Sequence, residues 1–443
     1  MNKEEVFSVE PVQLPPSGAF PRKLFVETTT RCNMGCSMCV KQSPGGEHSE
    51  GELSPDLFTA LEPAFPHLEA LVLNGIGEPL LHPELEKFIR AAKEKMPSEG
   101  WVGFQSNGLL LSERRAISLV DAGVDKICIS VDTASAEMFR NLRQGGELPA
   151  IAKAFNALSL AREECNRPGL QVGMEFVLMK GNMGELPATL LWAAEHGASF
   201  AIVTHLLPYD EPHLEEAAYD TCGEGAIALF NKYKTEAKSL GIDINGYFEA
   251  RWKFARNPQE EKTVALVESM KNDAERRGIF IDLKKLLRIE SKRLEDVAAV
   301  FAKAREVAGE TGLDLRLPEI SLSEKRRCSF VEEGSAFVNW EGNVSPCYFL
   351  WHRYLCFASG WSQQVQPKVF GNLRGRGILE IWNDPAFRQF RENVLDYDYP
   401  VCSSCTLAPC DYVQTDEFEQ DCHIGNVPCG ACLWCMGMFQ CLR

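Results

Sequence analysis

The chain has 443 residues, of which 45% are hydrophobic, so it can bury two or three cores and is expected to be a multidomain globular protein. A formal net charge of −16 argues against nonspecific binding to nucleic acid, because phosphate contacts need clustered lysine and arginine. The amino-terminal sequence lacks the pattern of a secretory signal, and no apolar run reaches membrane-spanning length. We therefore expect a cytoplasmic protein with no membrane contact.

Six short runs of apolar and β-branched residues alternate with helical patterns in the first half of the chain. The predicted strands are Lys23 to Thr29, Leu68 to Asn74, Trp101 to Ser106, Lys126 to Asp132, Gln171 to Val177 and Phe200 to His205. Six strand–helix units indicate an α/β fold, namely a partial (β/α)6 barrel of the TIM type over residues 23–209, preceded by an extension over residues 1–22. Its chemistry is expected at the carboxyl ends of the strands.

The remainder of the chain divides into two regions of different composition. Residues 210–325 are charged and mainly helical, which predicts a connecting region that completes the edge of the barrel. Residues 326–443 are rich in cysteine, glycine and aromatic residues and show little periodicity. They are expected to form a small domain organised by metal.

Seventeen cysteines in a chain without a secretory signal indicate metal or redox chemistry rather than a disulfide framework, and eleven of them follow residue 327. Three others, Cys32, Cys36 and Cys39, crowd into one C-x3-C-x2-C loop directly after the first predicted strand. Structural zinc prefers four ligands, usually in two separated pairs, so it fits this spacing poorly. Three thiolates suit an iron–sulfur cubane with one open iron.

The loop and the strand ends that follow it resemble the radical S-adenosylmethionine (SAM) enzymes over most of residues 23–206. The resemblance implies that Cys32, Cys36 and Cys39 hold a [4Fe–4S] cluster, whose fourth iron is chelated by the amino and carboxylate groups of SAM. It also implies that an electron passed into the bound sulfonium yields a 5′-deoxyadenosyl radical, which takes hydrogen from a substrate.

The same resemblance implies a set of cofactor-binding residues. The sequence GIGEPL is similar to the family's Gly-Gly-Glu-Pro motif, with Ile76 at the first position, and the family's aromatic residue before the last cysteine is replaced by Met38. The expected SAM contacts are Gly77, Glu78, Ser106, Asn107, Ser130, Asp132 and Arg143. Each polar residue has an alternative interpretation: the Ser-Asn-Gly sequence is also typical of a simple turn, and Asp132 is also typical of a helix cap.

The carboxyl third resembles the SPASM domain, which binds auxiliary iron–sulfur clusters. The resemblance implies one or two auxiliary [4Fe–4S] clusters, with candidate ligands Cys328, Cys347, Cys402, Cys405, Cys410, Cys422, Cys429, Cys432, Cys435 and Cys441. A zinc ribbon is the alternative, because paired C-x2-C groups bind zinc well. Cys356 is the weakest of the late cysteines, and Cys128, Cys165 and Cys222 are expected to be core or surface thiols.

Three segments of the carboxyl third, from Cys328 to Cys441, resemble maturases encoded with tungsten-dependent aldehyde ferredoxin oxidoreductases. The resemblance implies a protein or tungstopterin substrate from such an oxidoreductase and an electron donor such as flavodoxin or ferredoxin. One alternative is a peptide-modifying enzyme, for which a leader-binding domain of roughly 80 residues is expected before the barrel. The other is a non-catalytic iron–sulfur or zinc scaffold. Glu175 and His205, near strand ends, are candidate proton donors or acceptors, but packing or SAM-pocket roles are favoured for both, so neither is named as catalytic.

Overall fold

The computed structural model describes residues 18–442, except residues 45, 47–48, 401, 403–404 and 406–426. A ten-stranded sheet organises the described part of the chain. Its six central strands are β1 (Lys23–Val26), β2 (Ala70–Val72), β3 (Trp101–Ser106), β4 (Lys126–Ser130), β5 (Gln171–Leu178) and β6 (Phe200–His205). They pair in parallel and in sequence order, which confirms the six predicted strands.

The predicted α/β class and partial barrel are also confirmed, because the helices of the first half alternate with the strands and the described sheet remains open. These helices are α1 (Pro55–Thr59), α2 (Leu85–Lys93), α3 (Glu113–Ala122), α4 (Ala136–Leu142), α5 (Leu148–Glu164) and α6 (Leu186–Glu195). Serine side chains cap several of them; Ser112, for example, accepts a hydrogen bond from the Arg115 amide at the start of α3. Gly123 ends α3 in a left-handed conformation, at φ +105°, that few other residues adopt.

The central region is mostly helical and extends the sheet at the β6 edge. Its elements are α7 (Glu211–Leu214), β7 (Asp220–Gly223), α8 (Glu224–Leu240), α9 (Tyr247–Trp252), α10 (Pro258–Arg276), α11 (Leu283–Arg288), α12 (Ser291–Thr311), β8 (Asp314–Arg316) and β9 (Ser321–Leu322). Helices α8 to α11 enclose a small apolar core of their own, which includes Phe230, Val267 and Leu286. Strand β8 pairs in parallel with β6, so this region lies along the barrel edge.

The carboxyl third continues the same sheet at its other edge. Its elements are α13 (Ser329–Glu332), β10 (Ser335–Val338), β11 (Asn343–Ser345), β12 (Tyr354–Cys356), β13 (Gln363–Val365), β14 (Gly371–Asn372), α14 (Ile378–Trp382) and α15 (Pro385–Asp396). Strand β10 pairs in parallel with β1, and β11 and β14 follow in antiparallel pairing. The cysteine-rich region therefore lies directly beside the first strand of the barrel.

Candidate active site

The loop that holds the three clustered cysteines follows β1 and borders a cavity of about 330 Å³, here called the cysteine cavity. Cys32, Cys36 and Cys39 are half-buried, and all three line the cavity. Hydrogen bonds fix the loop: the Gly35 amide donates to the Gln144 carbonyl at 2.9 Å, and the Cys39 amide donates to the Cys36 carbonyl at 3.2 Å. The three thiols are thus brought to one wall of the cavity, as the sequence predicts.

Burial is the main influence on these thiols. It raises the pKa of Cys36, and it raises the pKa of Cys39 to about 11. Because iron binds thiolate, cluster binding here would release protons. Across the loop, Nη1 of Arg143 lies 3.9 Å from the Cys36 sulfur and supplies the positive charge that favours thiolate.

The thiols fit an iron–sulfur cluster better than a single ion. Within the described ranges, no three histidine, cysteine or acidic side chains converge closely enough to hold one metal ion. A cubane, in contrast, takes each thiolate on a different iron, so its ligands need not meet at a point. The cavity beyond the thiols leaves room for a small molecule beside such a cluster.

The turn after β2, residues 74–78, also lines the cavity and is here called the glycine turn. Gly77 lies against the backbone that enters the cysteine loop: a Cβ added at Gly77 would lie 2.6 Å from the Arg31 carbonyl oxygen. The Glu78 amide donates to that same carbonyl at 2.7 Å. Only glycine allows this approach, which explains why the motif requires Gly77.

Glu78 is buried and fully engaged by the protein. Its carboxylate accepts hydrogen bonds from the Ser106 hydroxyl at 2.8 Å and from the amides of Asn107 and Leu80 at 2.7 and 3.1 Å. Burial raises its pKa. Although Glu78 borders the cavity, these bonds assign it to joining the glycine turn to the end of β3.

The remaining predicted contacts divide between the cavity wall and the layer behind it. Ser106, Asn107, Ser130 and Arg143 line the cavity, and the side-chain amide of Asn107 donates to Asn33 Oδ1 at 2.7 Å. Asp132 is fully buried and is not among the lining residues. Its carboxylate accepts a 2.6 Å hydrogen bond from Arg143 Nε and a 2.8 Å bond from the Val177 amide, so it positions the arginine instead of facing the cavity.

A second cavity of about 210 Å³, here called the aromatic cavity, adjoins the first. Met38, Asn74, Gln105, Glu175, Val177, Tyr209 and Trp351 border both cavities. The rest of its lining includes the ring side chains of His205, Tyr348, Trp434 and Phe439. Such a lining suits an organic group and keeps water out.

Glu175 is the carboxylate shared by the two cavities, and it ends a hydrogen-bonded chain. Tyr348 donates to the Asn74 side-chain oxygen at 2.9 Å, and the Asn74 amide donates to Gln105 at 2.8 Å. Gln105 in turn donates to Glu175. Burial raises the pKa of Glu175 to about 7, with Arg143 opposing the rise and Asp132 adding to it.

The other candidate acid–base residue, His205, is the last residue of β6 and is held by contacts with other parts of the chain. Its Nε2 donates to the Glu319 carbonyl oxygen at 2.8 Å, and its ring packs against Tyr219. Burial lowers its pKa to about 4, so the ring is neutral at physiological pH. Of the two residues, Glu175 borders both cavities, whereas His205 borders the aromatic cavity.

The pKa of Glu175 predicts how stability depends on pH. A carboxyl whose pKa is higher in the folded state stabilises the protein below its unfolded pKa of about 4.3, and this stabilisation is lost as pH rises through about 7. Relative to wild type, Glu175→Gln, which stays neutral, should therefore gain about 2 kcal/mol more stability at pH 8.5 than at pH 5.5. Thermal unfolding at the two pH values measures this, with the exposed Glu163→Gln as control. Equal differences at both pH values would contradict the assignment.

Several late cysteines converge in the carboxyl third. Burial, followed by the neighbouring Cys347 and Cys435, raises the pKa of the Cys328 thiol. Burial likewise raises the pKa of Cys347 to about 11, with Cys435 again nearby. Cys429 and Cys432 belong to the same group, since both lie near Cys435. These five thiols form a donor set that suits iron–sulfur clusters.

The other late cysteines are less closely grouped. The Cys402 amide donates to the Gly430 carbonyl at 2.9 Å, which places Cys402 beside the group, whereas Cys405 lies near Lys285. Cys441 lines the aromatic cavity. Cys410 and Cys422 lie outside the described residues.

Four cysteines predicted to be non-ligands lie elsewhere. Cys356 is buried near Tyr209 and Tyr354. The remaining three are Cys128 on β4, Cys165 after α5 and Cys222 on β7. Among the described helices, none is long and apolar enough to cross a membrane.

Comparison with known proteins agrees with this geometry. Residues 26–193 match the Radical SAM superfamily, and residues 328–406 match the SPASM iron–sulfur cluster-binding domain, so the two matches together cover more than half of the chain. A tungsten-containing aldehyde ferredoxin oxidoreductase cofactor-modifying protein of Pyrococcus furiosus is 27% identical over 94% of this chain and 96% of its own length. A GTP 3′,8-cyclase of Chlorobaculum tepidum is 27% identical over 42% of this chain and 54% of its own length.

Two solved structures are similar to this chain at low identity. SuiB of Streptococcus suis bound to SAM gives a TM-score of 0.48 at 11% identity, over 84% of this chain and 68% of that one. The protein anSMEcpe with bound SAM gives 0.47 at 12% identity, over 87% of both chains. The two family matches imply that SAM and iron–sulfur clusters are cofactors. With its three-cysteine loop and its second group of thiols, the chain is a radical SAM enzyme that carries a SPASM-type iron–sulfur domain.

Proposed function

We propose that this enzyme is a maturase that modifies a tungsten-containing oxidoreductase or its tungstopterin cofactor. The observation that carries the proposal is the similarity to the Pyrococcus furiosus cofactor-modifying protein, which extends over nearly the whole length of both chains. The similarity to the GTP cyclase, in contrast, covers less than half of this chain.

The proposed cofactor arrangement uses the two groups of thiols. Cys32, Cys36 and Cys39 would hold the cluster that binds SAM, and the late cysteines would hold one or two auxiliary clusters. When bound, SAM and the first cluster supply a 5′-deoxyadenosyl radical. We assign SAM contacts to Gly77, Asn107, Ser130 and Arg143, which line the same cavity as the three thiols. Glu78 and Ser106 also line it but are hydrogen-bonded to each other.

The protein's own residues then prepare the substrate. The aromatic cavity would receive the reacting part of the substrate next to the SAM-binding cavity and shield it from water. Glu175, which faces both cavities and has a pKa near 7, is suited to exchange a proton with that group. Ser106 and Glu78 would keep the glycine turn and the β3 end in register, and Asp132 would orient Arg143.

The proposal is tested with an aldehyde ferredoxin oxidoreductase produced with tungstate but without this enzyme. The oxidoreductase is incubated anaerobically with reconstituted enzyme, reductant and SAM. The masses of its extracted cofactor and of its peptides are then determined by mass spectrometry. We expect a mass change in the cofactor or the oxidoreductase and a matching yield of 5′-deoxyadenosine. The Cys32, Cys36, Cys39 triple alanine variant should produce neither.

Two results would contradict the maturase function. One is an unchanged oxidoreductase and cofactor when SAM is cleaved normally. The other is modification of a short peptide supplied in place of the oxidoreductase, which would favour the peptide-modifying alternative.

A further inference from the structure

One loop of the SPASM domain is linked to the glycine turn by hydrogen bonds. This segment, residues 347–352, is here called the Cys347 loop; it follows β11 and begins with a candidate auxiliary-cluster ligand. Its residues Tyr348 and His352 each form a hydrogen bond with a residue of the first domain. The partner of Tyr348 belongs to the glycine turn, and the partner of His352 is hydrogen-bonded to that turn.

The first contact passes through Glu27, just after β1. Glu27 is fully buried, and His352 Nε2 lies 3.0 and 3.1 Å from its two carboxylate oxygens. One of those oxygens also accepts a 3.1 Å hydrogen bond from the Ile76 amide. A single carboxylate thus joins the SPASM domain to the glycine turn.

Close packing makes this contact rigid. A Cβ added at Gly75 would lie 2.7 Å from Glu27 Cβ, so the turn fits directly against the Glu27 side chain. A buried carboxylate is costly unless donors surround it. At Glu27, the donors are the Ile76 amide of the turn, the imidazole of His352 and, at 3.5 Å, the Trp340 amide.

The second contact holds the beginning of the turn. The Tyr348 hydroxyl donates to Asn74 at 2.9 Å, and Asn74 in turn donates to Gln105 on β3. The Cys347 loop therefore holds the turn at Asn74 directly and at Ile76 through Glu27. Gly77, which opens the backbone to the cavity, lies immediately beyond these two points.

A different contact between the same regions offers a matched control. Lys23 at the start of β1 forms a 2.6 Å ion pair with Glu333, next to α13. This pair joins the SPASM domain to the same strand but lies at the end remote from the glycine turn. Removing it loosens the interface without removing either contact to the turn.

We propose that the Cys347 loop positions the SAM-binding turn, so that the affinity of the first cluster for SAM depends on the SPASM domain. Glu27, Tyr348 and His352 are positioning residues in this scheme, since they act on SAM through the backbone of the turn. Ligation of Cys347 by an auxiliary cluster would fix the loop and so favour SAM binding. This dependence is separate from the identity of the substrate, so it survives even if the maturase function fails.

The test measures SAM dissociation constants and the change that SAM causes in the electron paramagnetic resonance spectrum of the reduced, reconstituted holoenzyme. His352→Ala and Tyr348→Phe should each weaken SAM binding, about tenfold for His352→Ala, with a smaller spectral change on adding SAM. Tyr348→Phe removes one oxygen and keeps the ring, so it tests the contact even if His352→Ala folds poorly. His352→Gln, which retains a donor, should recover most of the affinity.

Lys23→Met should bind SAM within about twofold of wild type, and iron content should be unchanged in every variant. Wild-type affinity and spectra in both His352→Ala and Tyr348→Phe would overturn the proposal. If Lys23→Met lost as much affinity for SAM as His352→Ala, the proposal would also be overturned, because the effect would then be a general loosening of the interface.

Discussion

Replacing Cys32, Cys36 and Cys39 together by alanine is expected to abolish reductive cleavage of SAM and to remove the iron of one cluster. The three thiols line the same cavity as the glycine turn, and no step of the chemistry can start without the cluster that we propose they hold. Anaerobic reconstitution, iron analysis and chromatography of 5′-deoxyadenosine measure both effects. The cleavage rate should fall to that of reductant and SAM alone.

The matched control is Cys165→Ala, a half-buried cysteine behind α5 whose thiol donates to the Ile117 carbonyl at 3.8 Å. This variant should retain the wild-type iron content and the wild-type rate of SAM cleavage. The triple variant should retain the iron of the carboxyl third, because those thiols form a separate group. Full iron with continued cleavage in the triple variant would show that the radical SAM cluster lies elsewhere.

Replacing Arg143 by methionine is expected to lower the free energy of unfolding by about 3–5 kcal/mol. The change leaves Asp132, which is fully buried, without its 2.6 Å partner, and an unpaired buried carboxylate is among the costliest of single defects. It also removes the positive charge near the Cys36 sulfur, so SAM binding and cleavage should fall as well. Thermal unfolding of the reconstituted protein measures the loss of stability.

The double variant Arg143→Met with Asp132→Asn separates pairing from packing. It should be more stable than Arg143→Met alone, because the remaining amide carries no charge. If the free energy of unfolding of Arg143→Met alone lies within about 0.5 kcal/mol of the wild-type value, the ion pair contributes little to stability and Asp132 has another role.

The strands were predictable because each is a short apolar run with clear breaks around it. Two were predicted at the observed bounds, Trp101–Ser106 and Phe200–His205. Others were predicted too long at the carboxyl end: after Val26 and Val72 the chain leaves the sheet to form the cysteine loop and the glycine turn. Local composition does not mark the point at which pairing stops.

The position of the carboxyl third could not be predicted in the same way. The pairing of β10 with β1 joins residues more than 300 positions apart, and periodicity contains no information about such partners. The same holds for the Cys347 loop. Its contacts with Glu27 and Asn74 follow from the tertiary arrangement alone.

The site was predictable where chemistry fixes spacing and less so where side-chain direction matters. The cysteine loop and Gly77 follow from their motifs, whereas Asp132 lies behind the cavity and Glu78, at its border, is held by protein partners. Glu175 was recognised only as one possibility, because both faces of a central parallel strand are buried and the sequence does not reveal which face turns inward. Met174 and Phe176, beside it on β5, belong to the large core.

The central claim, that an iron without a cysteine ligand binds SAM beside Cys32, Cys36 and Cys39, is tested most directly by electron–nuclear double resonance. The reduced holoenzyme is mixed with SAM labelled with ¹⁵N in the amino group, and in a second sample with ¹⁷O in the carboxylate. Chelation predicts a hyperfine coupling from each label, and neither coupling should appear in the triple alanine variant. Wild-type protein that shows no coupling from either label, while its cluster is reduced and SAM is in excess, would contradict the account.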